Sequence, residues 1–285
     1  MFLTGAFIGA AGEVYGASYK VVDTIAGPDG GWDMASIDAT ARRLYVARSD
    51  GVMTINLDTR AVTPRLVAGE RVHAVVPIPG SNRVLSTNGN SNTATLFQAE
   101  SGSVVAEIST GQKPDAAVFE PLTGLVFVMN AKGGDVTLVD PRQAKAVGDI
   151  AIGGALEFAV ADGTGRVFVN IEDQGAIVVL DAASRQVTAR YPLKDCEAPS
   201  GLALDIEDKV LVSACANGIA KIISASDGAE LATLKIGKRP DAVIWDVARK
   251  LFFIPTGGDG LLAVIARRGP AEFAVVDQVT TRLGA

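Results

Sequence analysis

The chain has 285 residues, 48 % of them apolar, which is enough for a sizeable core and suits one closed all-β unit. Its formal net charge is −6 and its basic residues are scattered, the densest pairs being Arg42-Arg43, Lys238-Arg239 and Arg267-Arg268. That excludes the concentrated basic surface a nonspecific grip on nucleic acid requires, so no nucleic-acid partner is expected. Residues 1–11 are apolar and small, like the later hydrophobic core and cleavage region of a signal peptide without its basic start. The run is too short to cross a bilayer, so no membrane span is expected. Residues 1–18 are read as a leader-like segment and 19–285 as a single domain, with a periplasmic or secreted location.

From Tyr19 onward, short runs of Val, Ile, Thr and Phe alternate with Gly, Asn and Asp, the pattern of strands and turns. Tyr19–Ala26 reads as an outer strand. Six repeats follow, each opening on a polar residue: Asp33, His73, Asp115, Glu157, Ser200 and Asp241, at spacings of 40, 42, 42, 43 and 41. A first strand starts there and leads into a turn such as Glu120-Pro121-Leu122-Thr123-Gly124. A second strand returns, as in Val126-Phe127-Val128-Met129-Asn130, then a third, as in Ile177-Val178-Val179-Leu180-Asp181, and a fourth, as in 230–236. A period near forty built from four short strands is the signature of a β-propeller. One blade cannot bury both its faces, whereas a ring of stacked blades covers them and leaves only short edges.

The predicted fold is therefore all-β, a propeller of four-stranded antiparallel blades. Outer-strand copies at 61–68, 103–110, 144–152, 186–193, 229–236 and 271–279 each belong to a complete set, whereas 19–26 has none. Six complete repeats plus the N-terminal strand of a seventh blade, truncated after Leu283-Gly284-Ala285, are expected. The alternative is six blades with one spare strand. Truncation would leave a notch with two unpaired edges, hence an oligomer formed by edge pairing.

The second-strand pattern in Phe127-Val128-Met129-Asn130, looser in Leu85-Ser86-Thr87-Asn88 and Tyr45-Val46-Ala47-Arg48, resembles the YVTN propeller repeat. The junction Ile108-Ser109-Thr110-Gly111-Gln112-Lys113-Pro114-Asp115-Ala116, nearly repeated in Ile236-Gly237-Lys238-Arg239-Pro240-Asp241-Ala242, looks like the one that links blades in YncE-like members of that family. The resemblance runs from about Tyr19 to the end. It implies a mostly seven-bladed, often exported protein and assigns no reaction.

First strands line the channel of a propeller, so Asp33, His73, Asp115, Glu157, Ser200 and Asp241 should gather at one mouth. Converging carboxylates repel one another and raise some pKa values unless a cation joins them. Asp115, Glu157 and Asp241 are the candidate metal ligands, suited to a hard divalent cation such as Ca²⁺. Trp32, Arg48, Asn88 and Asn130 are expected to rim the mouth as part of a ligand-binding surface. A water-filled channel and ordinary turn chemistry explain the same residues without a ligand. Cys196 and Cys215, the two cysteines, end neighbouring segments on one face and are a candidate disulfide.

The leading functional reading is a non-enzymatic periplasmic propeller that binds a small molecule or a protein partner at its funnel face. Metal-dependent lactonases of the propeller class suggest a hydrolase that uses the acidic ring. A third reading is an accessory protein of a periplasmic redox system.

Overall fold

The computed structural model describes residues 19–284, so the leader-like segment 1–18 lies outside the described residues. Twenty-four strands form six four-stranded antiparallel sheets, each in plain sequence order. Inner strands are β1 (Trp32–Asp38), β5 (Val72–Pro77), β9 (Pro114–Glu120), β13 (Leu156–Ala161), β17 (Pro199–Asp205) and β21 (Ile244–Asp246). Second strands are β2 (Arg43–Arg48), β6 (Arg83–Asn88), β10 (Leu125–Asn130), β14 (Arg166–Ile171), β18 (Val210–Cys215) and β22 (Leu251–Thr256). Third strands are β3 (Gly51–Asn56), β7 (Thr93–Gln98), β11 (Asp135–Asp140), β15 (Ala176–Asp181), β19 (Ile219–Ser224) and β23 (Leu261–Gly269). Outer strands are β4 (Val62–Ala68), β8 (Val104–Ser109), β12 (Lys145–Ala151), β16 (Gln186–Pro192), β20 (Glu230–Lys235) and β24 (Glu272–Thr280). No helix of the described residues is long and apolar enough to cross a membrane.

The burial patterns explain the sequence patterns. Every residue of β10 is buried. Phe127 and Met129 pack with Leu156 and Val167 of blade four, while Val126 and Val128 pack with Leu85 and Leu96 of blade two. A strand covered on both faces reads as an unbroken apolar run. The outer strand β16 instead alternates exposed and covered positions. At the lower turns a recurring acid accepts the turn amides. Glu120 takes the N–H groups of Leu122 and Thr123 at 2.9 and 2.7 Å, and Asp162 takes those of Thr164 and Arg166 at 2.8 and 3.0 Å.

Apolar clusters join blades one to two, two to three, three to four, four to five and five to six. Between blades six and one the pattern changes. Val46, Met53 and Ile55 of blade one form one cluster, and Leu251, Val264, Ala266 and Val279 of blade six form another. Residues 19–29 bridge this seam. Tyr19 packs edge-on against Phe253 with ring centroids 5.3 Å apart, and its N–H donates to Asp277 at 2.7 Å. Asp23 pairs with Arg60 of blade one. Arg48 Nη2 then donates to the carbonyls of Pro28 and Asp29 at 2.9 and 2.8 Å. The segment 19–26, expected as an outer strand, is thus a strap without a partner strand. The physical reason is that, among the described residues, no third strand lies beside it to supply a ladder.

The strap makes Arg48→Ala informative. The substitution removes two charge-assisted hydrogen bonds from a buried guanidinium, at a cost of about 1–3 kcal/mol. A urea titration is expected to show that loss, and an unchanged midpoint would show that the strap adds nothing to stability.

Candidate site at the channel mouth

Five inner strands open with a β-bulge, and the recurring polar residue sits in it. In β1, Trp32 pairs with Arg48 and Ala35 with Val46, so Asp33 and Met34 together oppose Ala47. The same two-against-one pairing holds His73-Ala74, Asp115-Ala116, Glu157-Phe158 and Ser200-Gly201. In blade six Pro240 bridges Thr256 and Ile244 pairs with Phe253, leaving Asp241 outside the ladder between them. A bulge releases its residues from the ladder and re-aims their side chains. Here it turns polar groups of different blades toward one another. Lys113 and Arg239, two residues before the polar position in their blades, adopt left-handed backbone with φ of 54° and 51°.

His73, buried against Gly89, is the pivot. Its Nδ1 lies 2.6 Å from Asp33 Oδ2 and 3.4 Å from Asp115 Oδ1. Lys113 Nζ approaches the other oxygen of Asp115 at 3.1 Å. Hydrogen bonding to Asp33 puts a proton on Nδ1, while Nε2 has no partner. A Cβ on Gly89 would come within 2.6 Å of Nε2, so only glycine lets the ring sit there. Thr87 holds the backbone around the pair. Its hydroxyl donates to the Asp115 carbonyl at 2.7 Å and accepts the Ala74 N–H at 3.0 Å. Asn170 does the same for blade five, donating to the carbonyls of Ser200 and Gly201 at 2.8 and 3.1 Å. Ser200 Oγ donates to the Pro240 carbonyl at 3.2 Å, tying its bulge to the junction that carries Asp241.

Glu157 and Asp241 complete the mouth electrostatically. Burial first, then the charges of Asp115 and Glu172, push the Glu157 carboxyl up to about 8. Enclosure by the blades, then Asp33 and Asp115, raises Asp241 as well, although its surface remains open to the channel water. Lys113 is raised too. Desolvation opposes this, and the attraction of Asp115, Glu157 and Glu172 outweighs it. Five carboxylates, Asp33, Asp115, Glu157, Glu172 and Asp241, therefore share one field with two cations, Lys113 and Arg239. Glu172 stands on a single 3-10 turn, Glu172–Gln174, between β14 and β15.

The other sequence candidates have different roles. Arg48 is buried and holds the strap. Asn88 donates to Thr93 and Thr95, and Asn130 to Asp135 and Thr137, so both amides are buried inside their own blades rather than on the rim. Trp32 is exposed beside Asp33. Cys196 and Cys215 are joined, with Cα atoms 5.3 Å apart, and fasten the connection into blade five to the end of β18.

The ligand atoms that converge are those of Asp33, His73 and Asp115, all within 4.8 Å, rather than the expected metal trio of Asp115, Glu157 and Asp241. In this arrangement His73 Nδ1 is engaged by Asp33, and the Lys113 ammonium lies beside Asp115.

No family model and no curated protein matches the chain. Among solved structures, one chain of the crystal structure of the mitotic checkpoint complex superposes on 99 % of this chain and 90 % of its own length, with a TM-score of 0.75 at 14 % identity. The chain is a β-propeller. At that identity the likeness speaks for the propeller fold and for nothing that the neighbour binds. What this propeller does has to be read from its own channel.

Proposed function

We propose that this chain is a binding propeller that holds a positively charged group, from a protein partner or a small molecule, in the acidic mouth of its channel. The observation that carries this reading is the convergence of five carboxylates on two cations, where burial first, and then the charges of Asp115 and Glu172, push the Glu157 carboxyl up to about 8. An incoming ammonium or guanidinium relieves that repulsion at a place where the blades keep bulk water partly out. Trp32, exposed beside Asp33, offers an aromatic face to the same cation. The repeated Lys/Arg-Pro-Asp junction supports a place among YncE-like YVTN propellers, and the linked cysteines support a periplasmic setting.

A triarginine peptide is the probe. Isothermal titration is expected to show binding that weakens as salt rises, at least tenfold weaker in Asp33→Asn or Asp115→Asn. Equal affinity for a neutral peptide of the same length would end the proposal. Added Ca²⁺ or Mg²⁺ is expected to leave the melting temperature unchanged, and a large stabilisation would favour the metal-dependent hydrolase instead.

A further inference from the structure

The opposite end of the channel has the reverse character. The lower halves of β9, β13 and β17, with β21 and the residue before it, line an open cavity of about 700 Å³ walled by Val118, Phe158, Val160, Leu204, Val243 and Trp245. Trp245 is braced by Phe252, with ring centroids 4.3 Å apart, so this wall is preformed. At the rim Ile206 and Val247 are 56 % and 72 % exposed, far more than isolated core-type residues need be. The volume lies within the roughly 300–1,000 Å³ typical of small-molecule sites.

The charges on the lining are acidic only. Asp205 and Glu207 contribute to the wall, and no cationic side chain does. Glu207 is matched by Lys250 at 3.3 Å, and the nearby Arg267 is paired with Asp208. Asp205 is buried, and its Oδ1 accepts the N–H groups of Glu207 and Asp208 at 3.2 and 3.3 Å. No side-chain cation bonds to it, and burial raises its carboxyl above the usual range against the pull of its turn amides and of Arg267, which lines an adjoining pocket with Asp205 and Trp245. A buried acid in an apolar wall accepts a hydrogen-bond donor or an amine and rejects a second anion.

We infer that this lower mouth is a second binding site, for a small molecule with a flat aromatic or branched aliphatic body and a neutral or cationic N–H group. It is separate from the acidic mouth and stands whether or not that mouth binds cations. Two probes with the same aromatic body test it: N-phenyl-1-naphthylamine, which is neutral, and 8-anilino-1-naphthalenesulfonate, which carries a negative charge. The neutral probe is expected to light up on binding and to quench Trp245, read in a Trp32→Phe background where Trp245 is the only tryptophan. The sulfonate is expected to bind at least tenfold more weakly. Ala161 lines the cavity, so Ala161→Phe should fill it and weaken the neutral probe at least tenfold. Circular dichroism confirms that the variant folds. If it does not, energy transfer from Trp245 in the otherwise native chain still decides.

Equal affinity for the two probes, or probe fluorescence without quenching of Trp245, overturns the inference. So does a dimer in sedimentation that Ala161→Phe disperses while the neutral probe fails to bind, because the occupant would then be a second copy of this chain.

Discussion

Glu157→Gln is expected to stabilise the protein at pH 8 and to leave its stability at pH 4 almost unchanged. The folded-state carboxyl titrates at about 8, against an ordinary value of 4.5 in the unfolded chain. Below pH 4.5 both states carry the proton and the group is neutral to stability. Between pH 4.5 and 8 the unfolded chain releases the proton while the fold retains it, so stability falls as pH rises. Above pH 8 the fold holds an ionised glutamate among other carboxylates, and the full penalty remains. Allowing for the water in the open channel, that penalty is on the order of 2–3 kcal/mol. Glutamine keeps the hydrogen-bonding shape of the neutral acid and cannot ionise. Urea unfolding of both proteins across pH 4–9 measures the difference. Parallel pH profiles would mean that Glu157 titrates normally and that the mouth is not electrostatically loaded.

Breaking the Cys196–Cys215 link should have an effect of similar size. The bond closes a loop of sequence separation 19 and pins the connection that leads into the Ser200 bulge. Loop-closure entropy for such a ring is worth about 3 kcal/mol. In a domain of this size, reduction or a double Cys→Ser substitution is expected to lower the melting temperature by roughly 6–12 °C. Alkylation of the native, unreduced protein should label neither sulfur. Two labelled thiols, or an unshifted melting curve in reductant, would contradict the link and weaken the case for an oxidising compartment.

Much of the architecture was legible in the residues because a blade is a local object. The forty-residue period, the unbroken apolar run of β10 and the turn acids such as Glu120 and Asp162 each reflect contacts made within one blade or with its nearest neighbour. Tyr19–Ala26 has the composition of an outer strand, but composition does not supply a partner, and the seam offers none. The mouth was legible only in outline. Periodicity placed Asp33, His73, Asp115, Glu157 and Asp241 at one end of the channel. It did not show that a bulge aims them, because a bulge changes register without changing composition. Glu172 escaped notice because it enters from a second-strand connection outside the repeated position, in the one blade where that connection coils into a 3-10 turn. Lys113 was visible as part of a junction motif, but its charge acquires meaning only 3.1 Å from Asp115. Asn88 and Asn130 mark the opposite error. Polar residues at strand ends look like a rim, yet their amides bond to threonine hydroxyls within the same blade.

Positive charge entering the mouth is expected to displace the proton held by Glu157. Calorimetric titration of the triarginine peptide at pH 7, in phosphate and in Tris, reads that proton directly through the two buffers' different ionisation enthalpies. The expected result is release of about one proton per bound peptide, falling to near zero in Glu157→Gln. Tight binding with identical heats in both buffers would contradict it.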